Sequence, residues 1–256
     1  MQDRTKEAYE VVNAQGRGPV MLVCEHASNH IPARYDGLGL GAEARESHAA
    51  WDPGARALAV ILSGELDAPL IAGRVSRLVY DCNRPPEAES AIPAQTEQIA
   101  IPGNRDLAPE ARAERVETIH DPFASALASH IAARQQQRPP FALVTVHSFT
   151  PRWFGEPRAV EIGLLHDSDT RLADAMLARA GDTHFQVERN APYGPEDGVT
   201  HTLKRHGIRN GLPNAMIEVR NDLLTTPEDR ERVAEALLVM LVPALDALGL
   251  PEVPHA

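Results

Sequence analysis

Short apolar runs rich in β-branched residues alternate along the chain with longer stretches of helical periodicity. The apolar runs predict strands at residues 20–24, 70–72, 78–80, 142–146, 161–165, 185–189 and 215–217. The helical periodicity predicts helices at residues 52–66, 109–137, 170–180 and 199–206, and one more from residue 227 onward. This alternation predicts one α/β domain over residues 1–256, with three layers and a central mixed, largely parallel sheet between helices.

Two helix starts carry recognisable signals. Asp52 followed by Pro53, and Thr226 followed by Pro227, place a capping side chain before a proline in the first helical position. By contrast, the segment 84–107 is rich in Pro, Glu and Ala, which predicts a long loop. Loops of that length often form lids or binding segments.

Composition and charge exclude several classes of protein. The 256 residues carry a formal net charge of -11 without a basic tract, so neither nucleic acid nor an anionic membrane surface is an expected partner. No apolar run is long enough to span a membrane, and the polar first ten residues contain no apolar signal core. We therefore expect a cytosolic protein in which Cys24 and Cys82 are buried free thiols.

Three predicted strands each run into a titratable residue: His26, His147 and Glu218. The carboxyl ends of the strands of an open α/β sheet form its ligand crevice, so the three side chains are expected to meet there. Two imidazoles and one oxygen ligand leave a fourth position of zinc open, which is the arrangement of catalytic zinc sites. We therefore predict that His26 and His147 bind zinc or another divalent metal and that Glu218 is the general base.

The third metal ligand stays open between two residues. Asp52 fits either as a metal ligand or as the N-cap of the helix that follows it. Glu25 precedes His26 directly, and on an extended backbone its side chain is expected to face the other way.

Arginines are the natural readers of substrate carboxylates because the planar guanidinium matches two oxygens. Arg84 opens the long loop and is the first candidate, and Arg220 is the second. His201, next to the cationic residues Lys204 and Arg205, is either a helix-surface residue or a donor that stabilises an oxyanion.

Five ordered motifs between residues 18 and 245 resemble the N-formylglutamate amidohydrolase family, which is related to zinc carboxypeptidases. They are Glu25-His26-Ala27-Ser28-Asn29-His30-Ile31-Pro32, His48-Ala49-Ala50-Trp51-Asp52-Pro53-Gly54-Ala55, Asp81-Cys82-Asn83-Arg84-Pro85-Pro86, Val146-His147-Ser148-Phe149 and Ile217-Glu218-Val219-Arg220-Asn221-Asp222-Leu223-Leu224. The resemblance implies the α/β fold of the zinc peptidases, with His26 and His147 as ligands and Glu218 as the catalytic glutamate. We also predict that Asn83, Arg84, Arg220 and Ser148 bind the substrate.

The reaction that this resemblance implies is hydrolysis of N-formyl-L-glutamate to formate and L-glutamate, a step of histidine breakdown. The zinc carboxypeptidases carry a Glu three residues after the first ligand histidine, and this chain departs from them because that position is Asn29. It also carries Glu25-His26-Ala27-Ser28 where better-known amidohydrolases carry Pro-His-Ser-Gly, which marks a divergent branch. The alternatives are a deacylase or peptidase for another N-acyl substrate and a non-catalytic protein that binds small carboxylic acids.

Overall fold

The computed structural model describes residues 5–96, 99–137 and 140–254, so residues 1–4 of the polar N-terminal stretch lie outside it. The strands are Tyr9–Val12 (β1), Val20–Cys24 (β2), Leu70–Gly73 (β3), Gln95–Thr96 (β4), Ile99–Ala100 (β5), Ala142–Phe149 (β6), Arg152–Trp153 (β7), Glu156–Pro157 (β8), Ile162–Leu165 (β9), Val187–Arg189 (β10) and Asn214–Arg220 (β11). The α-helices are Thr5–Ala8 (α1), Ala42–Glu46 (α2), Ala55–Glu65 (α3), Pro109–Arg115 (α4), Asp121–Gln137 (α5), Arg171–Leu177 (α6) and Pro227–Ala247 (α7).

Seven of these strands form one mixed sheet in the order β1-β3-β2-β6-β11-β9-β10. The four central strands β3, β2, β6 and β11 are parallel. Strand β1 pairs antiparallel with β3, and β9 pairs antiparallel with β11 but parallel with the edge strand β10. The parallel centre is buried on both faces, which accounts for its continuous apolar runs. The predicted fold class is confirmed.

Each face of the sheet packs against its own set of helices. One face carries Val20, Leu22 and Val144, which lie in a core with residues of α3, α6 and α7. The opposite face carries Met21 and Leu143, which pack with residues of α5 and of the segment 75–101. This is the three-layer arrangement that the alternating pattern predicts.

The start of α3 differs from the sequence-based expectation. The helix begins at Ala55 with Gly54 as its N-cap, and no side chain caps it. Gly54 has φ +83°, and a Cβ there would lie 2.4 Å from the Cβ of Leu224, so the turn requires glycine. This turn leaves the Asp52 carboxylate free to face the sheet, and the alternative role of Asp52 as a helix cap is therefore wrong.

Several other helices and strands also differ from those predicted from the sequence. Residues 78–80 form a turn and not a strand, and the antiparallel edge strand β1 was not predicted. The segment 84–107 contains the short hairpin strands β4 and β5 and two 3-10 turns, Glu89–Ala91 and Pro102–Asn104. The helix predicted at residues 109–137 is continuous, with a π-helical turn at Val116–His120 between α4 and α5. Both cysteines are buried free thiols, as expected.

Strand register brings the predicted catalytic residues together. His147 and Glu218 lie inside β6 and β11 rather than beyond their ends, and they are direct partners in the parallel pairing. The pairing of β2 with β6 matches Val23 to Thr145, so Glu25 follows at the level of His147. Among the described residues, no helix is both long enough and apolar enough to cross a membrane.

Candidate metal centre

A pocket of about 390 Å³ opens at the carboxyl edge of the central strands. Its wall includes most of the residues singled out in the sequence, together with several that were not. The lining residues are His26, His48, Ala49, Asp52, Arg77, Leu78, Asp81, Asn83, Arg84, Ser90, Pro93, Gln95, Thr96, His147, Ser148, Trp153, Tyr193, Asp197, Val199 and Glu218.

His26, Asp52 and His147 form a candidate metal site at the bottom of this pocket. All three are buried, and one ligand atom of each lies within 4.8 Å of the others. The Asp52 Oδ2 atom lies 2.8 Å from Nδ1 of His147 and 3.4 Å from Nδ1 of His26. The backbone N–H of Ser148 donates to the same oxygen at 3.3 Å, which orients the carboxylate. The three candidate ligand atoms are therefore Nδ1 of His26, Nδ1 of His147 and Oδ2 of Asp52.

The outer nitrogen of each histidine faces a second carboxylate. Nε2 of His26 lies 2.7 Å from Oδ1 of Asp81, and Nε2 of His147 lies 3.1 Å from Oε2 of Glu25. Metal-binding histidines characteristically direct their second nitrogen to a carboxylate, which fixes the tautomer and the ring orientation. The expectation that Glu25 faces elsewhere is wrong, because its side chain reaches the neighbouring strand.

The electrostatics of this cluster are strongly coupled. Burial by itself would raise the pKa of Asp52, but Arg77 and His26 outweigh it and hold the pKa well below its usual range. Burial alone would lower the pKa of His147, yet Glu25 and Asp52 raise it well above its usual value. These shifts favour the charged form of Asp52 and the protonated form of His147, so a metal cation bound at this cluster would compete with a proton for the imidazole.

Arg77 closes one side of the centre. Its Nη1 lies 3.0 Å from Oδ1 of Asp52 and 3.2 Å from Nδ1 of His26. Its other nitrogens donate to the carbonyls of His48, Ala49 and Trp51. The guanidinium is therefore held in place between the metal-binding cluster and the segment 48–51.

Glu218 lies in the same pocket, beside His147. Its side chain is 6% exposed, and Oε2 has no hydrogen-bond partner among the described residues. Burial raises the pKa of Glu218 to about 7, although His147 acts in the opposite direction. A carboxylate with a pKa near neutrality can both accept and return a proton.

The predicted substrate-binding residues differ in where they lie. Arg84 lines the pocket, and its Nη1 donates to the carbonyls of Asn83 and Gly198. Asn83 also lines it, but its side chain bonds the carbonyl of Val199 and the N–H of Thr202. Ser148 lines it as well, with its hydroxyl donating to the carbonyl of Pro53.

Two of the sequence candidates lie outside this lining. Arg220 donates from Nε to Asp222 and from Nη1 to the carbonyl of Arg158, and its Nη2 lies 3.3 Å from Glu161. His201 is half-buried, and its Nε2 has no partner among the described residues. Burial lowers the pKa of His201 to about 4, which leaves the ring neutral at pH 7.

Sequence reasoning missed Arg77, Asp81 and His48. Nδ1 of His48 lies 3.8 Å from Oδ1 of Asp52, and burial lowers the pKa of His48 to about 3. Asp81 and His48 stand inside motifs that the sequence singled out, so their position in those motifs was the available signal. Arg77 directly precedes the segment 78–80 that was expected to be a strand, and no pattern there pointed to the pocket.

An aromatic wall borders the mouth of the pocket. Trp153 and Tyr193 line it, and the guanidinium of Arg158 stacks on both rings at 4.9 Å from each centroid. Nη2 of Arg158 also donates to the Tyr193 hydroxyl at 3.0 Å. Trp153 belongs to the hairpin of β7 and β8, whose tip residue Phe154 is 67% exposed.

Comparison with known proteins places this chain in a family. The N-formylglutamate amidohydrolase family profile matches residues 18–225. A gene product from Agrobacterium tumefaciens of known structure is 49% identical, with a TM-score of 0.94 over 97% of this chain and 99% of that one. An N-formylglutamate amidohydrolase from Ralstonia eutropha JMP134 is 18% identical, with a TM-score of 0.69 over 95% of this chain and 100% of that one, a similarity of fold. None of the curated proteins matches the chain. The profile match covers most of the chain, which therefore belongs to the N-formylglutamate amidohydrolase family.

Proposed function

We propose that this amidohydrolase hydrolyses the amide bond of a small N-acyl amino acid in a metal-dependent reaction, with N-formyl-L-glutamate as the first substrate to test. The observation that carries the proposal is the position of Glu218. Its carboxylate is buried beside His147, in the same pocket as the cluster of His26, Asp52 and His147. A general base and a three-donor cluster therefore border one small cavity.

The donor set fits a zinc ion. Two imidazole nitrogens and one carboxylate oxygen are ligands that catalytic zinc sites use, with a further position left for water or substrate. Oδ2 of Asp52 lies 2.8 Å from Nδ1 of His147 and 3.4 Å from Nδ1 of His26, which is close enough for one cation to bind all three buried residues. When bound by these three residues, zinc would polarise water and the scissile carbonyl.

Glu218 carries the proton transfers in this proposal. Its carboxylate accepts the proton of the attacking water and then delivers it to the amine nitrogen that leaves. Oε2 is free for this because it has no other partner among the described residues. A cation bound nearby would favour the ionised form that acts as the base.

Arg84 is the residue proposed to bind the substrate carboxylate. Its Nη1 is bound to two carbonyls, and the described residues give Nε and Nη2 no partner. These two nitrogens form one edge of the guanidinium, which can hold a carboxylate through two parallel hydrogen bonds. Asn83 supports Arg84 by anchoring Val199 and Thr202 at the edge of the pocket.

Two groups are candidates to stabilise negative charge on the carbonyl oxygen. Arg77 borders the metal-binding cluster directly, and its charge is fixed in position by five acceptors. His201, the candidate from the sequence, has an unpartnered Nε2 but lies outside the pocket lining. The geometry favours Arg77, because preorganised charge acts most strongly when it lies next to the reacting atoms.

A panel of substrates tests the proposal. Zinc-loaded protein is assayed for release of the acid from N-formyl, N-acetyl and N-succinyl derivatives of glutamate and of neutral amino acids. We expect turnover of at least one derivative, with formate released from N-formyl-L-glutamate. Binding of these compounds without release of formate, acetate or succinate would instead indicate a non-catalytic binding protein.

A further inference from the structure

Glu25 is a buried carboxylate that the sequence offered as an alternative third ligand and that the proposed reaction does not use. We propose that Glu25 is a positioning residue that holds His147 with Nδ1 directed at the metal and thereby sets the metal affinity of the centre. The inference rests on the proposed function, because it requires that His26, Asp52 and His147 bind a metal.

The register of the sheet puts Glu25 beside His147. Strands β2 and β6 pair in parallel with Val23 opposite Thr145, and two residues further along this register brings Glu25 opposite His147. His147 lies in β6 on the same face as Thr145, because side chains two residues apart on a strand share a face. Glu25 lies in the turn directly after β2, and its side chain reaches the same side of the sheet. Oε2 of Glu25 then lies 3.1 Å from Nε2 of His147.

Glu25 and Asp52 contact different nitrogens of the His147 ring. Asp52 lies at Nδ1, where the donor atom of His26 also lies, whereas Glu25 lies at Nε2. Glu25 is therefore placed behind the ligand rather than among the ligands. A carboxylate in this position keeps the proton on Nε2, which leaves the Nδ1 lone pair for a metal.

The same arrangement occurs at the other histidine. Nε2 of His26 lies 2.7 Å from Oδ1 of Asp81, on the side of the ring away from Asp52. Each of the two candidate histidine ligands thus has its own carboxylate partner, contributed by a different segment of the chain. The repeated geometry supports a role toward the metal rather than a chance ion pair.

The carboxylate of Glu25 is stabilised mainly by His147. The residue is 2% exposed, its Oε2 lies 3.1 Å from Nε2 of His147, and the described residues form no other ion pair with it. Burying a carboxylate without full hydrogen bonding opposes folding. Packing alone would be met by an apolar side chain of similar size, so a contribution to the position of His147 explains a glutamate here better than a contribution to packing does.

The experiment measures zinc affinity and stability separately. Wild-type protein, Glu25→Gln and Glu25→Leu are stripped of metal, and zinc affinity is measured by competition with a chromophoric chelator. The unfolding temperature of each metal-free protein is recorded in parallel. Glu218→Gln is the matched control, because it makes the same chemical change on the other strand beside His147 and leaves the proposed ligands and their supporting carboxylates intact.

We expect Glu25→Leu to weaken zinc binding by about 10- to 100-fold, the usual effect of losing such a partner. Glu25→Gln keeps an acceptor oxygen and should lose less, and Glu218→Gln should change the affinity by less than about threefold. The metal-free Glu25→Gln protein should unfold close to the wild-type temperature, because it keeps an acceptor oxygen beside Nε2 of His147. Glu25→Leu removes one partner of a buried pair and should unfold at a lower temperature.

Three results would count against the inference. If both Glu25 variants bind zinc with wild-type affinity, the inference about Glu25 is wrong and the proposed function is unaffected. A loss of affinity matched by a lower unfolding temperature of both metal-free variants would assign Glu25 a structural role and also overturn it. Wild-type protein that binds no zinc would overturn the proposed function as well, which distinguishes the two failures.

Discussion

At the scale of single residues, His147 is flanked by two glutamates from neighbouring strands. Glu218 pairs with it in β11, and Glu25 follows β2 at the same level. The charge and hydrogen bonding of His147 outweigh burial and lower the pKa of Glu25, whereas burial dominates and raises the pKa of Glu218. The two glutamates beside His147 therefore have different roles in the proposals. Glu25 is a fixed anion, and Glu218 is a proton acceptor.

The base role of Glu218 predicts a selective loss of catalysis. The substitution Glu218→Gln removes the proton acceptor but keeps the size of the side chain, and we expect kcat to fall by about 10²- to 10⁴-fold. Zinc content should stay at the wild-type level, because Glu218 is not among the proposed ligands. Steady-state kinetics with metal analysis of the same samples checks both expectations, and full turnover in the variant would show that the base is another group.

The substrate-binding role of Arg84 predicts a change in substrate affinity. Replacing Arg84 with Met removes the only proposed contact to the substrate carboxylate, worth about 1.5–3 kcal/mol for a charged hydrogen bond. That amounts to a decrease in kcat/KM of roughly 10- to 100-fold, seen mainly as a higher KM.

Arg220→Met provides the comparison for Arg84→Met. Because Arg220 is engaged with Glu161, Asp222 and the carbonyl of Arg158, this change should lower the unfolding temperature rather than raise KM. A raised KM in the Arg220 variant, with Arg84→Met unaffected, would reverse the assignment made from the structure.

At the scale of elements, apolar periodicity predicted the strands that build the centre. It did not predict the turns, which set the side-chain directions of the residues that follow or precede them. The buried runs of β2, β6 and β11 are visible in the sequence because a strand covered on both faces reads as continuous apolar residues. The direction of Asp52 was not visible, since it depends on the positive φ of Gly54 rather than on any pattern. Residues 78–80 are apolar but form a turn. They were predicted as a strand because the apolar pattern does not reveal the turn.

The start of α7 is the element boundary that the sequence predicted best. The Thr226 hydroxyl accepts from the backbone N–H of Asp229, and the Asp229 carboxylate accepts from the N–H of Thr226, which completes a capping box. We expect Thr226→Ala to lower the free energy of unfolding by about 0.5–2 kcal/mol. Chemical denaturation measures this loss.

The same variant should keep its catalytic constants, because α7 contributes no residue to the lining of the pocket. Reduced activity in fully folded Thr226→Ala protein would mean that α7 influences the centre in a way the structure does not show.

At the scale of the whole molecule, the parallel sheet brings the residues of the site together. His26, His147 and Glu218 are far apart in sequence, and the common edge of β2, β6 and β11 brings them to one pocket. The rule that ligands bind at the carboxyl edge of such a sheet made this part predictable. Arg77, Asp81 and Glu25 were not predictable in the same way, because their roles depend on side-chain directions set by packing after the chain has folded.

A metal that joins three segments of the chain should stabilise the entire fold. Ligand that binds only the folded state at about 100 times its Kd adds about 2.7 kcal/mol. For a domain of this size that corresponds to a rise in unfolding temperature of roughly 5–10 °C. Thermal unfolding with and without zinc measures it, and Asp52→Ala, which removes one proposed ligand, should abolish most of the rise.

The central claim is that amide hydrolysis depends on a metal held by His26, Asp52 and His147. The most direct measurement is formate release from N-formyl-L-glutamate by one protein sample, assayed as purified, after removal of metal by a chelator, and after addition of zinc, with the metal content determined at each stage. The account predicts activity that disappears with the metal and returns at about one zinc per chain. Undiminished activity in protein shown to be free of metal would contradict it.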